Sequence, residues 1–214
     1  YSAAELSDKD VQTMALALAK ESDQSSLTAN AKYSQRLAKL TQKLKSEDGL
    51  KLDFKAYQDP EINAFALANG SIRVYSGLMD ITTDAELLSV IGHEIGHVKE
   101  GHSKEKIRWA YGTSALRKGV AAQGNIAGAI ASSELGGLLH AVVDAQFSQS
   151  EEEEADDYGL QFMKRRGYDM RAMPSMLRKL GKDGGGGGLL SSHPNPNDRA
   201  ERIEEQMKDL QAKK

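Results

Sequence analysis

The chain predicts an α+β domain, mostly helical, with a small sheet and one central helix that bears the motif H-E-x-x-H. Three observations lead there. Apolar residues recur three and four apart through much of the 214-residue sequence, the period of an amphipathic helix. Period-two alternation is confined to 50–75, where Asn69-Gly70 separates two strand-like runs, a strong hairpin signal. His93-Glu94-Ile95-Gly96-His97 lies inside a helical pattern, so its two imidazoles share one face.

The elements follow in order. Ser7-Asp8-Lys9-Asp10 opens a helix with Val11, Met14 and Leu18 at helical spacing. A second helix is expected from about Asn30 to Lys45, with Tyr33, Leu37, Leu40 and Leu44 on one side. Leu50 to Tyr57 alternates at Leu52, Phe54 and Ala56, as a half-buried strand does. Asn63 to Ala68 and Ser71 to Tyr75 form the hairpin. Thr83-Asp84-Ala85-Glu86 is a capping box that starts the motif helix, and Gly101 ends it. The stretch 103–146 is helical in tendency but loosened by glycines; within it 119–137 reads as a lid or as two closely packed helices. Ser148 to Arg166 sets Ala155, Gly159, Phe162 and Met163 on one face. Gly184 to Gly188 is a flexible loop. Ser192-His193-Pro194-Asn195-Pro196 is a rigid turn, and Asp198 to Lys213 a charged helix with Ile203, Met207 and Leu210 inward.

Composition narrows the class. Charged residues are 28% and hydrophobic residues 39%, a globular balance. Length and the lack of an internal repeat fit one domain, 1–214, with packing helices in 1–48 and a core that holds the site in 49–214. The net charge of -3 argues against nucleic acid as a partner. There is no cysteine, so disulfides and thiolate ligands are excluded and a metal site must use His, Asp or Glu. No apolar run reaches the roughly 18 residues of a membrane helix; the nearest, Gly119 to Ser133, is broken by Gln123 and Asn125. The chain opens on Tyr1, which leaves room for a leader or anchor ahead of it.

His93 and His97 can grip one metal ion while Glu94 handles a proton, the layout of a zinc metallopeptidase. Such a site needs a third protein ligand. The acidic run Glu151 to Asp157 is the source, and Glu152 continues the apolar face of its helix one turn before Ala155. Asp156, four residues on, leans toward the same site. Glu153 with Asp157 rotates away, and Glu151 and Glu154 read as solvated charges near a helix N-terminus. His102 reads as a helix cap or surface residue, and His140 as a core or surface histidine. His193 is a turn residue fixed by Pro194, or a contribution to the site from the C-terminal part of the chain.

These residues carry a resemblance. H-E-x-x-H followed by Ser148, Glu152, Ala155 and Asp156 resembles the S-x-x-x-E-x-x-A-D pattern of the HtpX / CAAX prenyl protease family of zinc metallopeptidases. Ile62-Asn63-Ala64-Phe65-Ala66, Ile72 to Leu78, Ser192-His193-Pro194 and Arg199 resemble it too, so the likeness runs from about Asp59 to the end, and it is greatest to the soluble periplasmic members. Gln149 departs from it, where many members have Arg. The resemblance implies a zincin-like domain with a gluzincin-type site and one zinc per chain. It makes His93, His97 and Glu152 the ligands, Glu94 the catalytic base, and Asp156 the residue that orients a ligand histidine, His93. It implies that Asn63, Ala64, Phe65 and Ala66 form an edge strand that pairs with a peptide substrate. It gives His193 two roles, oxyanion donor or reversible plug on the metal, with Arg199 sharing the first. The expected activity is endopeptidase action on peptides or unfolded proteins in envelope quality control. The alternative is a latent metal-bearing chaperone or assembly factor. The expected place is the periplasm or the outer membrane, through an anchor lost ahead of Tyr1.

Overall fold

The computed structural model describes residues 6–114, 134–183 and 187–213. Helix α1 (Asp8–Ser25) starts where the Ser7 hydroxyl accepts from Asp10 N–H, and it buries Val11, Met14, Ala15 and Leu18. Helix α2 (Ala31–Thr41) stops four residues before the expected Lys45. Leu44 N–H donates to Thr41 C=O at 2.9 Å, and this turn buries Leu44 without further helix.

Strands β1 (Asp53–Tyr57), β2 (Ala64–Ala66) and β3 (Ser71–Tyr75) form one sheet in the order β1-β3-β2. β1 runs parallel to β3, and β2 antiparallel to it. The hairpin closes through Gly70 N–H donating to Leu67 C=O at 2.9 Å. Gly70 has φ of 87°, and a Cβ there would stand 1.9 Å from the Lys51 carbonyl oxygen, so only glycine fits. Among the described residues β2 lies at one edge of the sheet, and it is shorter than the expected Asn63 to Ala68.

After α3 (Ser76–Ile81) comes α4 (Asp84–Lys99), which carries the motif. Both halves of the Thr83/Glu86 capping box form. α4 is buried from Glu86 through His97, because it lies between the sheet and two later helices. Gly101, with φ of 81°, ends it and admits α5 (His102–Thr113) at once. α6 spans Leu135–Asp144 and α7 Gln149–Arg166. Of the stretch 119–137, the part up to 133 lies outside the described residues, as does 184–186 of the glycine run. Sequence periodicity assigns no element to 167–183, yet α8 (Ala172–Asp183) is there. Pro174 sits in its first turn, where no N–H partner is required. A short α9 (Leu189–Ser192) and α10 (Pro196–Ala212) complete the chain.

Small residues set the distance between α4 and α7. A Cβ on Gly92 would stand 2.4 Å from Phe162 Cδ1, and one on Gly159 3.2 Å from His93 N. This approach brings the α7 carboxylates to the α4 imidazoles. The main core joins the sheet, α4, α7 and α8 around Ile72, Ile91, Ile95 and Phe162. A second core joins α1, α5 and α6 to Tyr57 and Phe65. Among the described residues no helix is long and apolar enough to cross a membrane.

Candidate active site

α4 presents His93 and His97 on one face, with Nε2 atoms 3.0 Å apart. α7 brings Glu152 to them: its Oε1 lies 2.9 Å from His97 Nε2 and its Oε2 3.5 Å from His93 Nε2. The turn after α9 brings His193, whose Nδ1 lies 3.1 Å from His93 Nε2 and 2.8 Å from Glu152 Oε1. Glu94 is buried beside them, its Oε1 3.2 Å from His193 Nε2.

Two nitrogens and one carboxylate thus converge, with His193 at a fourth corner; one ligand atom from each of the four falls within 4.8 Å of all the others. Donors around a tetrahedral ion with bonds of about 2.0–2.1 Å stand about 3.3–3.4 Å apart. The observed separations are close to that, and the donor set suits a borderline metal. Among the described residues, two buried carboxylate oxygens, Glu94 Oε1 and Glu152 Oε2, accept no well-aligned hydrogen bond and have only ion-pair neighbours, His193 Nε2 at 3.2 Å and Arg199 Nη1 at 2.8 Å, so the site is built to hold positive charge. The residues fit a metal ion.

Burial works against the charge of His93, yet Glu152 and Asp156 outweigh it and raise its pKa to about 10. Burial lowers His97 to about 3. Burial opposes ionisation of Glu152 and Glu94, but His193 and the other imidazoles hold both carboxyls below the usual range. Asp156 is held at about 2, against burial, by Arg199 and then His93.

Asp156 Oδ1 lies 2.8 Å from His93 Nδ1, on the side of the ring away from the cluster. Arg199 donates through Nε and Nη2 to Asp156, both at 2.8 Å, and its Nη1 stands 2.8 Å from Glu152 Oε2. The expectation that Arg199 serves the oxyanion meets a different geometry: its nitrogens are engaged by the two carboxylates and by the carbonyls of His193 and Pro194.

Four side chains beside the site were given no place in it by the sequence. The Phe147 ring stacks on His97, centroids 3.7 Å apart. Lys106 places its ammonium 3.7 Å from the Phe147 centroid, and burial lowers its pKa to about 8. His102, expected at a cap or on the surface, is buried with its Nδ1 3.0 Å from His97 Nδ1. Glu154, expected to be solvated, lies 3.1 Å from His102 Nε2. The available signals were weak: His102 follows His97 by five residues, and Phe147 directly precedes the Ser148/Glu151 capping box of α7. His140 is a surface residue.

The family model for Peptidase family M48 matches residues 7–207. The chain belongs to peptidase family M48. It is 39% identical over 212 residues to Metalloprotease LoiP of Escherichia coli, covering 97% of this chain and 84% of that protein. It is 35% identical to Metalloprotease YcaL of the same organism, with the same coverage. The Beta-barrel assembly-enhancing protease of Yersinia pestis shares 34% identity over 158 residues, 68% of this chain and 32% of that longer protein. This M48 chain is thus a LoiP-type metallopeptidase, with a mostly helical zincin-like fold and a histidine and glutamate cluster suited to a metal ion.

Proposed function

We propose that the chain is a zinc-dependent endopeptidase whose resting site is closed by His193. The observation that carries this reading is the convergence of His93, His97 and Glu152 with the buried carboxylate of Glu94 beside them. In this reading those three residues hold one zinc per chain. When bound, zinc supplies a Lewis acid that polarises a carbonyl and acidifies a water. Glu94 takes a proton from the attacking water and passes it to the leaving amine. Asp156 accepts from His93 Nδ1–H and fixes that ring. Arg199 holds Asp156 in turn, so it acts as a positioning residue.

The substrate strand is proposed at Asn63 to Ala66. Support comes from the edge position of β2. Asn63 and Leu67 bond to β3, so the alternation of an antiparallel ladder turns Ala64 and Ala66 to the open edge, where Ala64 N–H donates to the neighbouring Asn63 Oδ1 at 2.9 Å. An extended peptide adds there through main-chain hydrogen bonds.

Two observations favour His193 as a gate over His193 as an oxyanion donor. Its Nδ1 lies 3.1 Å from His93 Nε2 and 2.8 Å from Glu152 Oε1, where it would take the corner that a catalytic zinc leaves to water. Leu189 N–H donates to Ile62 C=O at 2.9 Å, so the segment that carries His193 also docks beside the substrate edge. Phe147 N–H ties the same segment down through Ser192 C=O at 3.1 Å. The rival reading, a latent metal-bearing chaperone or assembly factor, draws on the same closure.

Peptides and unfolded proteins are the proposed substrates, in envelope quality control, in the periplasm or tethered to the outer membrane. One relative's name ties that protein to β-barrel assembly, which supports the setting. We also treat the chain as one metallopeptidase unit, since α1 shares a core with Phe65, Ile107 and Leu138. The test is incubation of the wild type and of His193→Ala with unfolded casein and with envelope proteins, with and without a chelator. Chelator-sensitive cleavage supports the peptidase. No cleavage by either protein, with zinc bound, supports the rival.

A further inference from the structure

We propose that His102 and Glu154 form a relay that orients His97 and sets its strength as a metal ligand; this rests on the reading of His97 as a ligand. The relay begins with Gly101. Its left-handed backbone, φ of 81°, breaks α4 directly after the motif turn and starts α5 with His102. The imidazole of His102 then folds back under the last turn of α4 and is buried. Its Nδ1 reaches His97 Nδ1 at 3.0 Å, and its Nε2 reaches Glu154 Oε2 at 3.1 Å.

The proton positions follow from one constraint. His97 directs Nε2 to the cluster, so a ligand at that position carries its proton on Nδ1. That Nδ1–H needs an acceptor, and the atom facing it is His102 Nδ1. His102 therefore keeps its proton on Nε2, where the Glu154 carboxylate accepts it. Each link has a donor and an acceptor, with none left over. The chain runs from a buried ligand to a carboxylate whose side chain is 52% exposed.

His102 is not a fourth ligand. It lies behind His97, and among the described residues the group of side chains able to share one ion is His93, His97, Glu152 and His193. The two ligand histidines are thus supported differently. His93 meets a carboxylate directly through Asp156. His97 meets one only through a second imidazole. Its ring plane is fixed independently by the stacked Phe147, which leaves the in-plane rotation to His102.

The test compares His102→Phe, which keeps the ring volume without an acceptor, with His102→Asn, whose Oδ1 sits near the lost Nδ1. Zinc affinity is read by competition with a chromophoric chelator, and ligand geometry by the visible spectrum of the cobalt-substituted protein. His97→Ala is the control. His102→Phe is expected to weaken zinc about 10–100-fold, the usual effect of losing such a partner, and to shift the cobalt bands. His102→Asn should restore most of the affinity. Glu154→Gln, at a half-exposed position, should move both readouts the same way by less, and it serves if His102→Phe misfolds. Equal affinity in the wild type, His102→Phe and Glu154→Gln, with His97→Ala impaired, would overturn the relay. Equal loss in His102→Phe and His102→Asn would also overturn it, by reducing His102 to packing. Unimpaired zinc binding by His97→Ala would instead remove the ligand reading beneath it.

Discussion

Phe147 lies flat on His97, the two ring planes 10° apart and their centroids 3.7 Å from each other. The contact covers one face of the imidazole proposed as a ligand, and the Lys106 ammonium covers the far face of Phe147. Stacked pairs contribute about 0.5–1.5 kcal/mol beyond area burial. Phe147→Ala is therefore expected to hasten metal loss to a chelator, by up to about tenfold on that energy. Stopped-flow mixing with a chromophoric chelator measures it, and an unchanged rate would show that the ring does not guard the site.

Glu94→Gln and Glu152→Gln should separate chemistry from binding. The first removes the base and leaves the three ligands, so zinc stays near one per chain while turnover is lost. The second weakens the metal itself. Elemental analysis beside a peptidase assay reads both. Zinc loss in Glu94→Gln with zinc retained in Glu152→Gln would reverse the assigned roles.

His193→Ala is expected to keep zinc and raise cleavage of unfolded casein, because it clears the fourth corner and loosens the segment docked at Ile62. A drop of about 10²–10³-fold, the size of one lost oxyanion donor, would instead make His193 a participant in turnover.

Gly92→Ala should damage both fold and site. The added methyl meets the buried Phe162 ring at 2.4 Å, and overpacking of this kind costs about 1–3 kcal/mol. α4 and α7 must separate, which moves Glu152 from the imidazoles. A lower Tm together with weaker zinc binding is the expected pair of results. A lower Tm with unaltered zinc affinity would mean that the ligands tolerate the shift.

Glu47 gives a pH signature. It is buried against Arg165 and Arg166. Burial opposes its charge, and the two guanidiniums outweigh this and lower its pKa. A carboxylate depressed in the folded state stabilises above its unfolded pKa, about 4.3, and loses that contribution as pH falls through the folded value. Urea unfolding should find the wild type more stable than Glu47→Gln at pH 7, with the gap closing in acid. A gap independent of pH would remove the charge from the explanation.

What the sequence by itself determined is local in origin. The four-residue spacing of His93 and His97, the Thr83/Glu86 cap, the Gly101 stop and the Asn69-Gly70 hairpin each follow from backbone geometry within a few residues. Glu152 was legible because it lies on the same helical face as Ala155 and Gly159, whose small side chains announce a close helix contact. The tertiary structure decided the rest. His193 meets His93 across 100 positions, and no period in the chain encodes which nitrogen faces the cluster. The tasks of Arg199, Phe147, His102 and Glu154 depend on how α4, α5, α7 and the turn after α9 pack, since a side chain's hydrogen-bond partner is set by the neighbour that burial places against it. A residue such as His102 looks like an ordinary helix start until α7 supplies the carboxylate on its other side.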